Sequence, residues 1–237
     1  MNKTNIQICN NCKYKNPLYR ETCLECGHQL RKRVVNIDLW STIWKIFDNP
    51  IVSLKNIIFA RHKNFVVFLL ILLSVKLYSL FLIVKFYTNP LKQELHNANL
   101  NSITITLIFF ITIIFFTKLI TFFINRTNGK LTRFKDNIAI ITYSFVPLIL
   151  ISSILFPVEY GIFGKQWFVS NPSPFVIKKN AAYMLFTIET IVWVWSLFNL
   201  SLSFYIQSGS KSKSILFLIL FLFLLFGVVQ IIPVNIL

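Results

Sequence analysis

The sequence predicts an all-α polytopic membrane protein with a small cysteine-bearing arm at its N-terminus, and three observations predict it. The 237 residues are 55% hydrophobic and 16% aromatic, with a mean hydropathy of +0.66. Charged residues make up only 14%, too few to cover a soluble surface, so the excess apolar area must face lipid. The apolar residues also fall in five long runs, and all four cysteines fall in the first twenty-six positions.

The five runs are Asn64 to Thr88, Ser102 to Ile124, Ile138 to Phe156, Ala181 to Ile206 and Ile215 to about Val234. Each approaches or exceeds the ~20 residues a helix needs to cross ~30 Å of hydrocarbon. None alternates apolar with polar residues as a barrel strand would. A helix satisfies its own backbone hydrogen bonds, which lipid requires. Asn89-Pro90, the stretch from Asn125 to Asn137 and the turn Ser208 to Ser214 separate the runs. Pro157, Gly161, Gly164, Pro172 and Pro174 predict the longest loop. No internal repeat is present.

The chain divides into an arm over 1–33, a connector over 34–63 and a five-span bundle over 64–237. In the connector, Trp40, Ile43, Trp44 and Phe47 recur at i, i+3, i+4, i+7, one face of a helix. Asp48 or Asn49 can cap a second helix that begins at Pro50. There Ile51, Leu54 and Ile58 share a face, opposed by Ser53, Lys55 and Asn56. Tryptophan on one side and lysine on the other predict amphipathic helices lying in the membrane interface. The same apolar face packing on the bundle or the arm is the alternative.

The arm carries Cys9-x2-Cys12 and Cys23-x2-Cys26, two knuckles separated by ten residues. Four soft thiolates in paired turns are the donor set of a tetrahedral zinc ribbon. An arm this short cannot bury an adequate core, so metal binding would supply most of its folding free energy. Cys9, Cys12, Cys23 and Cys26 are therefore the expected ligands of a structural Zn2+ ion. Four thiolates leave no open position for catalysis, and His28 is expected to stay outside the coordination shell.

The formal net charge is +16, a balance that raises nucleic acid as a partner. The basic residues instead sit between the apolar runs, which reads as a topology signal and attraction to lipid headgroups. With the N-terminus in the cytoplasm, eleven basic residues of the arm and connector, four of the second loop and two of the fourth lie inside. Only Lys92, Lys165, Lys178 and Lys179 lie outside. This bias predicts a cytoplasmic N-terminus and an external C-terminus. The cytoplasm also keeps thiols reduced and free for metal. The segment Met1 to Gln7 is polar, so no cleavable signal peptide is expected.

Charges within the spans are Lys76, Lys85, Lys118 and Glu189. Lys85 and Lys118 lie near span ends and can snorkel. Glu189 lies roughly 12 Å deep at ~1.5 Å per residue, and a Lys76–Glu189 pair across two helices is expected. Pro147 should kink the third span, with Tyr143 and Ser144 near the freed groups. Trp193 and Trp195 are too deep for an interfacial belt and should face neighbouring helices. Asn199, Ser201 and Ser203 are placed to hydrogen-bond between helices.

Gly129-Lys130-Leu131-Thr132-Arg133-Phe134-Lys135, followed by Ile141-Thr142-Tyr143-Ser144-Phe145-Val146-Pro147, resembles the Yip1 domain family. Phe47-x-x-Pro50 before the first span and the stretch Trp193 to Phe226 resemble the same family. The resemblance implies five spans, a cytoplasmic N-terminus and no mapped chemical activity. The Asp-Leu-Tyr-Gly-Pro element of eukaryotic trafficking members is absent, so their small-GTPase role does not carry over. An N-terminal ribbon is similar to prokaryotic members and implies a prokaryotic cell membrane.

No phosphate-binding glycine loop, paired-carboxylate site or nucleophile–base motif occurs. The expected function is a non-enzymatic integral membrane protein of membrane organisation or partner scaffolding, with the lipid bilayer and a protein bound through the ribbon as partners. The alternative is a transporter or channel subunit working through Glu189, which would form its pore as a homo-oligomer.

Overall fold

The computed structural model describes residues 6–88, 98–128, 132–169 and 172–232. The Asn89-Pro90 break, Lys92, Gly129, Lys130 and Leu131 and the side chain of Lys85 lie outside the described residues.

The arm forms one antiparallel pair, β1 (Ile6–Ile8) with β2 (Lys15–Pro17), in the register Ile6 to Pro17 and Ile8 to Lys15. Two short helices follow, α1 (Leu39–Asp48) and α2 (Pro50–Phe59). Asp38 caps α1 through the Ser41 N–H, and Asn49 caps α2 through the Val52 N–H with Pro50 at its start. The expected helix start at Pro50 is thus observed, with Asn49 as the cap.

Five helices or helix pairs are long and apolar enough to cross a membrane. They are α3 (Val66–Thr88), α4 (Ala98–Asn128), α5 (Phe134–Ser144) joined to α6 (Val146–Phe163), α9 (Lys179–Ser208) and α10 (Lys211–Ile231). Two single turns, α7 (Gln166–Val169) and α8 (Pro174–Ile177), lie between α6 and α9. The α5–α6 span is 72% buried, against at most 39% for the others. It is the central post around which the other spans pack.

Two expectations for that span are corrected. Pro147 does not merely bend a helix: the helix ends at Ser144 and a new one starts at Val146, with Pro147 in its first turn. A proline is accommodated there because the first N–H groups of a helix have no internal acceptor. Pro157 and Gly161, expected in a loop, are helical, and α6 runs on to Phe163 before Gly164 caps it at φ 58. Proline inside a helix loses one bond; Pro157 and Gly161 lie on the exposed side of α6, and Leu155, Glu159 and Phe163 form its buried side.

The connector splits its apolar residues between two sides. Thr42, Ile43 and Ile46 turn inward, while Trp40 and Trp44 are each 72% exposed. Phe47, Ile51 and Val52 continue the exposed side. Ser53, expected on the polar face of α2, is buried and donates to the Thr42 carbonyl at 3.2 Å. That bond joins the two connector helices back to back.

Candidate metal centre and the junction beneath it

The two knuckles are near copies of one another. The N–H of Lys13 donates to the Cys9 carbonyl at 3.0 Å, and the N–H of Gly27 to the Cys23 carbonyl at 3.2 Å. Both residues, each just after the second cysteine of its pair, take left-handed backbone angles, φ 59 for Lys13 and φ 69 for Gly27. Only glycine adopts that angle freely. The turns bring the four sulfurs within 4.8 Å of one another, with Cys9 to Cys26 at 3.6 Å and Cys12 to Cys23 at 3.5 Å. The arrangement is compatible with a metal site. His28 contributes only its backbone, accepting from the Cys23 N–H at 2.9 Å.

Asn16 organises the second knuckle, a role nothing in the sequence pattern announced. It is buried, accepts from the Leu24 N–H at 2.9 Å and places its amide 3.4 Å from the Cys23 sulfur. Burial opposes ionisation of Cys23, yet the Cys26 and Glu25 backbone N–H groups and the Asn16 amide together bring its thiol down to about 6. Cys26 is lowered chiefly by the His28 N–H. Cys12 goes the other way, to about 12: the Tyr14 N–H favours its thiolate, but burial and the three adjacent sulfurs outweigh it. Crowded sulfurs cannot all ionise unaided, and a bound cation removes that conflict.

Beneath the arm lies a polar junction with the membrane domain. The chain after the arm is strapped to the end of α2 by the Arg61 N–H on the Val34 carbonyl at 3.0 Å and the His62 N–H on the Val35 carbonyl at 2.9 Å. Arg31 donates to the carbonyls of Tyr19 at 2.9 Å and Phe59 at 3.1 Å, with its guanidinium 4.5 Å from the Phe59 ring centre. From the other side, Arg133 stacks on Tyr19 at 4.1 Å.

Arg133 also binds Asp136 through two bonds, 2.7 and 3.2 Å, and Lys63 reaches the same carboxylate at 3.0 Å. Asp136 is 1% exposed. Lys63 additionally caps α2, donating to the carbonyls of Ile57 and Ile58. Burial lowers the Lys63 ammonium to about 8 against the upward pull of Asp136. A cleft of about 280 Å³ between arm and bundle is lined by Arg20, Glu21, Arg61, Arg133 and Lys135 among others.

The second loop is closed at its base by Asn125, Thr132 and Asn137. Asn125 accepts from the Thr132 N–H at 2.7 Å, and Asn137 donates to the Thr121 hydroxyl at 2.7 Å. Tyr143 donates to the Asn64 carbonyl at 2.8 Å, while Ser144 meets Ser203 at 2.6 Å. Tyr143 therefore serves the start of α3 and not the groups freed by Pro147. Ser144 does act locally, on the Ile140 carbonyl. These contacts tie the Thr132-to-Pro147 stretch to the connector, α3, α4 and α9.

A comparison with family models matches residues 44–232 to the Yip1 domain. The chain belongs to the Yip1 domain family. No curated protein and no solved structure matches it. The Yip1 domain thus takes in the second half of α1, all of α2 and every span, and the four-cysteine arm lies outside it. The residues that receive the arm, Phe59 against Arg31 and Arg133 against Tyr19, belong to the Yip1 domain.

Inside the Yip1 domain, Lys76 of α3 and Glu189 of α9 form the expected buried ion pair. Ser201 and Ser203 make interhelical bonds, Ser201 with Ser214 at 3.1 Å and Ser203 with Ser144. Asn199, expected to do the same, is fully buried with neither side-chain amide atom hydrogen-bonded. Trp193 packs edge-on against Phe145, and Trp195 lies against Phe198 of its own helix. Lys118 is exposed on α4. Besides Asp136, the buried acid Glu159 of α6 escaped sequence reasoning, because Pro157 and Gly161 on either side of it signal a loop.

Proposed function

We propose that this is a non-enzymatic integral membrane protein with a cytoplasmic N-terminus, in which a structural zinc ribbon forms an interaction module fixed to the membrane domain. The observation that carries this reading is the grip on the arm by Arg31, Arg133 and the Val34–Ala60 strap. A ribbon held at one angle to the membrane presents a constant surface to a protein partner, which suits scaffolding or membrane organisation.

Zinc fits the four sulfurs. A tetrahedral ion ~2.3 Å from each ligand separates sulfurs by about 3.8 Å, and the observed 3.5 and 3.6 Å need only a slight expansion. Cys9, Cys12, Cys23 and Cys26 would hold the ion, and no open position would remain for chemistry.

The orientation rests on the clustering of basic residues at the ribbon end of the bundle, where Arg20, Arg61, Arg133 and Lys135 line one cleft. That end would face anionic headgroups of the inner leaflet of a prokaryotic cell membrane. The test is in-cell crosslinking of the full chain against a Cys9→Ser/Cys12→Ser variant. Loss of a specific crosslinked protein partner with intact membrane insertion supports the reading. An unchanged partner set overturns the ribbon's role.

A second reading, a transporter or channel subunit, draws on the buried Lys76–Glu189 pair. Flux through reconstituted vesicles that vanishes in Glu189→Gln would favour it over scaffolding.

A further inference from the structure

The cleft at the seam between arm and bundle gathers cations from three separate segments. Arg20 and Glu21 line it from the arm, Arg61 from the stretch between α2 and α3, and Arg133 and Lys135 from the start of α5. Tyr19 and Phe59 complete its wall. The fold brings each cation there. The Arg20 N–H donates to the Pro17 carbonyl at 3.1 Å in the turn after β2, and the Arg61 N–H is held on the Val34 carbonyl. The Tyr19 ring carries two guanidinium groups, Arg133 at 4.1 Å and Arg20 at 5.9 Å from its centre.

The charges of the lining do not balance. Four cations face one carboxylate, Glu21, an excess of three positive charges. Arg133 is paired with Asp136, but Lys63 shares that carboxylate. Among the described residues, Arg20, Arg61 and Lys135 make no ion pair. Arg31 adds a further positive charge beside the same wall, on the Tyr19 and Phe59 carbonyls. Like charges gathered in this way repel, and the repulsion opposes closure of the arm onto the bundle. An anion between them reverses its sign.

We propose that this cleft binds a phosphate group, carried by a lipid headgroup or by a soluble phosphate compound, and that the bound phosphate locks the arm onto the membrane domain. Guanidinium forks and an ammonium suit phosphate, whose oxygens accept from several cations at once. The cleft also lies where spans begin, since Lys135 is in the first turn of α5 and Arg61 shortly precedes α3. That is headgroup depth. The proposal rests on the reading of the arm as a module fixed to the bundle.

Hydrogen exchange of the full, metal-loaded chain in phosphatidylcholine nanodiscs tests this. The readout is the pair of amides that strap the seam, Arg61 and His62. Either phosphatidic acid is added to the nanodiscs or inorganic pyrophosphate to the solution, at matched ionic strength. A ligand at about ten times its dissociation constant should slow exchange through seam opening about ten-fold. Slowing by phosphatidic acid alone assigns a headgroup, and slowing by pyrophosphate assigns a soluble phosphate compound. Relative to each variant's own ligand-free rate, Arg20→Gln/Lys135→Gln should lose the slowing and Arg126→Gln, at the far end of α4, should retain it. No slowing by either probe in the unmodified chain overturns the proposal, and this arm needs no variant to fold. Slowing that survives Arg20→Gln/Lys135→Gln, or that is lost equally in Arg126→Gln, places the anion elsewhere or on diffuse surface charge and also overturns it. The cysteines are untouched throughout, so these outcomes are separate from loss of the ribbon's crosslinked partner.

Discussion

The phenolic hydroxyl of Tyr143 donates to the backbone carbonyl of Asn64 across 2.8 Å. Asn64 immediately precedes Phe65, a non-glycine residue with φ 65, and Phe65 leads directly into α3. The central span therefore holds the sharpest backbone turn between connector and bundle. Tyr143→Phe keeps the ring and removes the bond. We expect a loss of about 1–3 kcal/mol, the cost of a buried carbonyl left without its donor. Thermal unfolding in detergent, read by near-ultraviolet circular dichroism, measures it.

Lys63 and Asp136 make a pH-dependent contribution at the arm–bundle junction. Lys63 titrates near 8 in the folded chain, below its ordinary value of 10.5. Between those values the unfolded chain binds more protons, so stability should rise with pH across that window and the burial penalty should be fully present below about 8. Amine acylation of Lys63 against pH should give the midpoint. In Asp136→Asn the midpoint should fall, because the favourable carboxylate is gone, and stability should drop by about 3–5 kcal/mol.

The two knuckles differ at one instructive place. Gly27→Ala forces an alanine into a left-handed angle and should weaken metal retention by about 1 kcal/mol, roughly five-fold. Lys13→Gly relieves the matching strain and should strengthen retention by a similar factor. Chelator competition on the full chain resolves both directions. Equal effects of the same sign would show that backbone angle does not set the affinity.

Chelation of the metal should unfold the arm and spare the spans. The arm has little core of its own, whereas the bundle buries a continuous apolar cluster from Ile37 to Ile232. Limited proteolysis after chelation should cut within 6–33 while the helical signal of the spans persists.

Trp40 and Trp44 stand out from the connector and should lie at headgroup depth. Brominated lipids should quench a share of the fluorescence that disappears in Trp40→Phe/Trp44→Phe. Unaltered quenching in that double variant would remove α1 from the interface.

Much of this architecture was legible because lipid imposes blunt requirements. The five spans follow from run length, and the Lys76–Glu189 pair follows from the expense of two isolated charges in hydrocarbon. The family resemblance rested on Gly129 to Lys135, Ile141 to Pro147, Phe47-x-x-Pro50 and Trp193 to Phe226, and among these Arg133, Tyr143 and Ser144 are tied to their neighbours by specific contacts. Glu159 was hidden because proline and glycine signal a loop in water, whereas here both lie on the exposed side of a continuous helix whose other side carries Glu159. Asp136 was hidden for another reason. Its near partner Arg133 forms an i,i+3 pair that reads as an ordinary solvated one, and Lys63, its second partner, lies far away in sequence. The split of α1 was illegible because helical periodicity groups Ile43 with Trp40 and Trp44, and only the position of α2 and the bundle separates them.

The stacking of Arg133 on Tyr19 orders events during biosynthesis. The arm leaves the ribosome long before its dock does: about a hundred residues intervene, or roughly 5–20 s at ~5–20 residues per second. Through that interval the four cysteines already exist and the first two spans are inserted, while Arg133 and Asp136 do not yet exist. Metal capture in the nascent chain would therefore precede docking, and the arm would close onto the bundle only as the third span enters the bilayer.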